Sequence, residues 1–179
     1  MKKTLVLLAI TTFCLWTTSH ALIGIGVRAG TGSLGSSGGS QSALLLGAHV
    51  DFTALPMIGL EACVTYWSKS QDFSTGKTTS TLIPLEGTAL YKISLPGSPI
   101  TPYVGAGLGL YMGNTKFQPQ VGSDTTVTSN KFGIHGAAGA NFKLPTMPLS
   151  FGVQGKYAAI FSDPSSHLFS IVGLVTYNF

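Results

Sequence analysis

The 179-residue sequence predicts an all-β fold, an eight-stranded antiparallel up-and-down transmembrane β-barrel. Three observations predict it: an export-type N-terminus, period-two hydrophobic alternation in eight segments, and connections that alternate between long and short. Composition points the same way. Only 9% of the residues are charged and 44% are apolar, whereas a water-soluble domain carries about 25% charged residues. Such a chain cannot cover itself with an ordinary charged surface, so one face of its strands must meet lipid or be buried.

Residues 1–21 are expected to be a cleaved signal peptide, leaving a barrel domain over residues 22–179. Lys2 and Lys3 supply a basic start, residues 5–16 an apolar stretch, and Ser19-His20-Ala21 a small-x-small cleavage site. The apolar stretch is too short to cross a bilayer as a helix, and no lipobox precedes Cys14. Cleavage would leave Cys63 as the sole thiol, with no internal disulfide. It would also remove two lysines, so that eight basic residues face six acidic ones. With no Lys/Arg run or basic stripe, nucleic acid is not an expected partner.

The strands follow in order. Residues 22–30 place Ile23, Ile25, Val27 and Ala29 against Gly24, Gly26 and Arg28. Residues 43–52 set Leu44, Leu46, Ala48, Val50 and Phe52 against His49 and Asp51. Residues 57–67 oppose Ile58, Leu60, Ala62, Val64 and Tyr66 to Glu61, Cys63 and Thr65. Residues 80–93 oppose Ile83, Leu85, Ala89 and Tyr91 to Glu86, Thr88 and Lys92. Residues 101–112 alternate Val104, Ala106, Leu108 and Leu110 with Gly105, Gly107 and Gly109. In 131–143, Phe132, Ile134, Ala138, Ala140 and Phe142 face away from His135, Asn141 and Lys143. In 149–157, Phe151 and Val153 face away from Gln154 and Lys156. The last segment, 167–179, carries Phe169, Ile171, Val175, Tyr177 and Phe179 on one face; Ser170, Thr176 and Asn178 take the other, with Val172 and Leu174 as apolar exceptions.

Each of these segments has roughly the length, about 9–11 residues, that a tilted strand needs to cross a bilayer. Long polar connections are expected at 31–42, 68–79, 113–130 and 158–166, and short proline-containing ones at 53–56, 94–100 and 144–148. Long loops on one rim and short turns on the other is the arrangement of membrane barrels, with both chain ends on the short-turn rim. The apolar face ends in aromatics. Phe52, Tyr91, Phe142, Tyr177 and Phe179 are expected at the periplasmic girdle, and Tyr66, Phe132, Tyr157 and Phe169 at the outer one.

At Pro102-Tyr103-Val104-Gly105-Ala106-Gly107-Leu108-Gly109 the chain resembles the outer-membrane protein β-barrel family, the small OmpX/OmpA-like barrels. Gly136-Ala137-Ala138-Gly139 is similar to that family's second glycine-rich segment. The ending Val175-Thr176-Tyr177-Asn178-Phe179 is similar to its C-terminal assembly signal, carried by Val175, Tyr177 and Phe179. The resemblance implies the outer membrane of a Gram-negative-type bacterium. It implies as partners outer-membrane lipid and lipopolysaccharide, the barrel-assembly machinery and periplasmic chaperones. It implies no particular activity, since the family includes adhesins, anchors and enzymes.

Two formal motif matches are explained by the strands. Gly24-Ile25-Gly26-Val27-Arg28-Ala29 fits G-x-G-x-x-A, but no helix follows to meet a pyrophosphate. Gly35-Ser36-Ser37-Gly38-Gly39 fits G-x-S-x-G, but lies in a Gly/Ser stretch without a strand-to-helix turn. His49, His135 and His167 lack metal-ligand spacing. His167 and Ser170 are similar to the His/Ser pair of lipid A hydrolases, but three residues apart on a strand they point to opposite faces. No catalytic residue, metal or cofactor is expected.

The inward charges are the more informative feature. Arg28, His49, Glu61, Glu86, His135, Gln154 and Lys156 share the interior face and are predicted to form a network of ion pairs and hydrogen bonds that fills the lumen. Asp51, Lys92 and Lys143 are expected to be solvated at the periplasmic rim. The expected function is a structural or surface-interaction protein acting through its extracellular loops. The alternatives are a narrow channel for small solutes and, third, a lipid A-modifying enzyme. If the terminal signal is read as the resemblance implies, deleting Phe179 lowers the amount of barrel inserted in the outer membrane. Heat-modifiable migration of membrane fractions measures that; undiminished insertion of the deletion sinks the assignment.

Overall fold

The computed structural model describes residues 22–179 apart from 37–38, 56, 74–75, 120–122 and 164. The expected signal peptide lies outside the described residues. Among those described, every regular element is a strand: β1 (Leu22–Ser36), β2 (Gly39–Leu55), β3 (Ile58–Phe73), β4 (Gly76–Lys92), β5 (Ile100–Pro119), β6 (Thr125–Lys143), β7 (Leu149–Ile160) and β8 (Ser166–Asn178). Each pairs antiparallel with its sequence neighbour, and β8 returns to β1, giving a closed barrel. The closing seam runs from Gly24↔Asn178 to Gly35↔His167. Phe179 N–H donates to Ile23 O across it at 2.9 Å. Closure pairs the backbone groups that hydrocarbon would otherwise leave unsatisfied.

Alternation puts the chain's apolar residues on the outside. β3 alternates exposed and buried from Ile58 to Trp67, and β8 does so along most of its length. The outward residues are large and apolar, with Val27, Leu108 and Phe132 each more than 60% exposed. In water this surface would be prohibitive; in a bilayer it is the required one. Tyr66, Phe132, Tyr157 and Phe169 are exposed at its outer edge, and Tyr91, Phe142, Tyr177 and Phe179 at its inner edge, with Phe52 half-buried.

The polar segments expected as long outer loops are mostly strand. Pairing continues to Ser36↔Gly39 between β1 and β2, to Phe73↔Gly76 between β3 and β4, and to Phe117↔Thr125 between β5 and β6. The reason lies in the side chains, which pair across the hairpins once lipid ends. Ser33 meets Ser40 at 2.6 Å, Ser70 meets Thr79 at 3.0 Å, and Asn114 donates to Thr128 at 3.4 Å. Lys116 Nζ sits 2.9 Å from Asp124 Oδ2, and with Gln118 it holds that carboxyl below its ordinary pKa. Such cross-strand pairs stabilise a two-sided polar ladder. β5 has 20 residues, roughly 65 Å of strand at ~3.3 Å per residue. Tilted by about 40°, it rises about 50 Å, roughly twice the ~25 Å apolar band of such barrels.

The glycine-rich strands make room inside. A Cβ on Gly26 would stand 2.5 Å from the His49 ring, one on Gly107 2.6 Å from that of His135, and one on Gly139 2.6 Å from the Tyr103 hydroxyl. Each of these glycines is a seat for a ring on an adjacent or nearby strand. Gly139→Val should therefore destabilise the barrel by about 1–3 kcal/mol, the range for overpacking. Urea unfolding in lipid vesicles measures this, and an unchanged midpoint would show that the seat is not needed.

Candidate functional site: the polar lumen and its outer lid

The seven residues predicted to line the lumen all lie inside the barrel and are buried. Five of them form one connected unit. Arg28 Nη2 lies 2.9 Å from Glu61 Oε2, and Arg28 Nη1 donates to Gln154 Oε1 at 3.2 Å. Gln154 Nε2 then donates to Glu61 Oε2 at 3.2 Å, closing a three-membered ring of contacts. Lys156 joins this ring to Glu86. Its Nζ is 2.8 Å from Glu86 Oε2 and 3.7 Å from Glu61 Oε1. Two cations thus face two carboxylates and their formal charges cancel. In an interior closed to water, that balance keeps ions from being left uncompensated.

The histidines stand at its margins. His135 Nε2 shares a 2.8 Å hydrogen bond with Thr88 Oγ1, while its Nδ1 is 3.8 Å from Glu86 Oε1. His49 is separate, bonded to Thr176 Oγ1 at 2.8 Å and 3.8 Å from Asp51 Oδ2. Among the described residues no three His, Cys, Asp or Glu side chains converge on a metal position. Asp51 and Lys92 differ from the expectation that they are solvated. Both are half-buried, and Lys92 Nζ donates to Thr53 Oγ1 at 2.7 Å. The lumen is narrow enough there to shield groups near the rim; Lys143 alone of the three is exposed.

Two members were not named in the predicted network. Tyr111 donates its hydroxyl to Glu86 Oε1 at 2.8 Å, and Cys63 donates to Glu86 Oε2 at 3.4 Å. Alternation marks both as inward. It does not show that the Tyr111 ring lies back over Gly109, within 3.0 Å of where its Cβ would be.

Above the network sits an apolar lid of Trp67, Leu82, Tyr111, Ala158, Ile160 and Leu168. Trp67 has no exposed surface, and its Nε1 donates to Gly32 O at 2.8 Å. Leu45, Val172 and Leu174 form a second inward apolar group. The void left within the network is about 10 Å³, room for about one water. On the outside, His167 stacks with Tyr157 at 6.1 Å between ring centroids. Ser170 is buried on the inward face, so the two residues of that pair, His167 and Ser170, lie on opposite sides of the barrel wall.

A family model described as outer membrane protein beta-barrel domain matches residues 5–179. Among solved structures, the neisserial surface protein A (NspA) is similar over 89% of this chain and 100% of its own, with TM-score 0.71 and 16% identity. Ail of Yersinia pestis, crystallised with the heparin analogue sucrose octasulfate, is similar over 90% of this chain and 100% of its own, with TM-score 0.65 and 13% identity. A major outer membrane protein of Thermus thermophilus is similar over 89% and 100%, with TM-score 0.62 and 16% identity. No curated protein matches the chain.

The network makes a test available. Glu86→Gln strands Lys156 in the lumen beside Glu61 alone, and should cost roughly 3–5 kcal/mol, the range for breaking a buried pair. Glu86→Gln combined with Lys156→Met should recover much of that loss. Unfolding of both variants in vesicles gives the comparison, and a silent Glu86→Gln would show that the charges are not coupled.

Proposed function

Since the chain belongs to the outer membrane protein β-barrel domain family and is a small barrel of the outer membrane, we propose that it is a surface-interaction protein, with the filled barrel as its anchor and the projecting hairpins as its contact surface. One observation carries this reading. Phe73 and Phe117 stand 53% and 38% exposed at the hairpin ends, and Val127 on β6 is 62% exposed. They lie well past the outer aromatics along their strands, beyond the apolar band. Exposed aromatics outside the membrane cost free energy unless a partner buries them, and aromatics dominate binding energy where partners do.

The chemistry favours a protein partner over a polyanion. Ail is crystallised with a heparin analogue, but the outer hairpins here hold Lys69, Lys77, Lys116 and Lys131 among Asp72, Asp124 and Asp163. Lys77 and Lys116 already meet Asp72 and Asp124, at 4.0 Å and 2.9 Å. The other two lysines, without an ion-pair partner among the described residues, are a weak basis for a sulfated chain. In the same proposal the exposed Tyr66, Phe132, Tyr157 and Phe169 are the contacts to outer-leaflet lipid and lipopolysaccharide. Val175, Tyr177 and Phe179 are proposed as the residues that the assembly machinery and its chaperones read.

The filled lumen and its lid support an anchor rather than a conduit. In planar bilayers the protein should show no steady conductance, and reproducible open steps would favour the channel. Cells displaying the barrel should adhere to surfaces coated with extracellular-matrix protein. A Phe73→Ser/Phe117→Ser double variant, still heat-modifiable, should lose most of that adherence; equal adherence by wild type and variant would refute the contact surface.

A further inference from the structure

The mouth of the barrel holds a cleft of about 170 Å³ above the lid. Trp67 and Tyr111 belong to its floor, and Ser80, Thr115, Ser129 and Lys131 belong to its walls. Its size is near that of the ~150 Å³ cavity that accepts benzene, so it suits one six-membered ring with its substituents. The cleft is blind, because the lid and the network close everything beneath it.

Among the described residues, Lys131 is the only ionisable side chain of the walls. Unlike Lys77 and Lys116 on the neighbouring hairpins, it has no carboxylate within ion-pair range among the described residues. Ser80, Thr115 and Ser129 likewise make no side-chain hydrogen bond to any described residue. The floor offers no competing polar group. The Trp67 N–H is engaged with Gly32 O, and the Tyr111 hydroxyl with Glu86 below it. The cleft therefore combines one free cation, several free hydroxyls and an apolar base.

We propose that this cleft is a binding site for a ring-sized, hydroxylated monoanion, the chemical class of sugar acids. The anionic group meets Lys131 Nζ, ring hydroxyls meet Ser80, Thr115 and Ser129, and the less polar ring face lies on the floor. The proposal stands on the mouth of the barrel and is independent of what the hairpin ends contact.

The test is a titration of the detergent-solubilised protein followed by the indole N–H resonance of Trp67, with glucuronate, glucose and benzoate at fixed ionic strength. Glucuronate should give a saturable shift. Glucose, lacking the charge, should bind about tenfold more weakly, the loss expected for one charge-assisted hydrogen bond. Lys131→Gln should weaken glucuronate to a similar degree. Ser129→Leu, which fills the cleft and keeps the lysine, should abolish the shift. Lys69→Gln, outside the cleft, should leave it unchanged. Heat-modifiable migration of each variant reports that its barrel is intact, and Lys131→Met replaces Lys131→Gln if that protein does not fold. Equal binding of glucose and glucuronate, full binding by the Lys131 variants, benzoate as tight as glucuronate, or no saturable response would each overturn the proposal.

Discussion

Everything in this molecule depends on one constraint: backbone N–H and C=O groups placed in hydrocarbon must be paired within the protein. A flat sheet of eight strands would leave two edges unpaired. The seam between β1 and β8 removes both, from Gly24↔Asn178 upward. The outside can then be apolar, because no backbone polar group needs water there. Eight strands also leave an interior just wide enough for side chains to fill.

Filling that interior decides the rest of the composition. Rings need space from the surrounding wall, and Gly26, Gly107 and Gly139 provide it for His49, His135 and Tyr103. Charges need partners of opposite sign, and Arg28 and Lys156 find Glu61 and Glu86. A guanidinium can engage an amide and a carboxylate at once through its rigid fork, which is how Arg28 holds Gln154 and Glu61 together. Glycines and ions therefore belong to one packing solution. Above them the apolar lid separates the charged lumen from the watery mouth.

Strand number, strand faces and barrel closure were legible in the sequence, because lipid-facing Leu, Val and Phe contrast with inward Gly, Glu and Arg at every second position. The inward face of the seven predicted lumen residues was legible for the same reason, although Tyr111 and Cys63 were not assigned to the network. The network's pairings were not legible. Period two reports the face of a residue and nothing about its height in a tilted barrel, so Glu86 could not be matched with Lys156, 70 positions away. The apolar part of the lid was hidden by the same rule's limits, since Leu82, Ile160 and Leu168 are apolar residues on the inward face. The hairpin extensions were missed because polar residues dominate both of their faces, with only isolated apolar ones such as Phe73, Phe117 and Val127. Alternation there has no contrast, and Ser, Thr and Asn suggest loops until their cross-strand pairing is seen.

The hydrogen bond from Phe179 to Ile23 brings the two ends of the barrel within one peptide's reach at the same rim. Chain order around the cylinder is then a matter of synthesis rather than of architecture. Linking these ends and reopening the chain at the β1–β2 hairpin would yield a circular permutant with the same eight ladders. Such a permutant would present a different strand last. It would keep Phe179 as a wall residue while moving it from the last strand to an internal one.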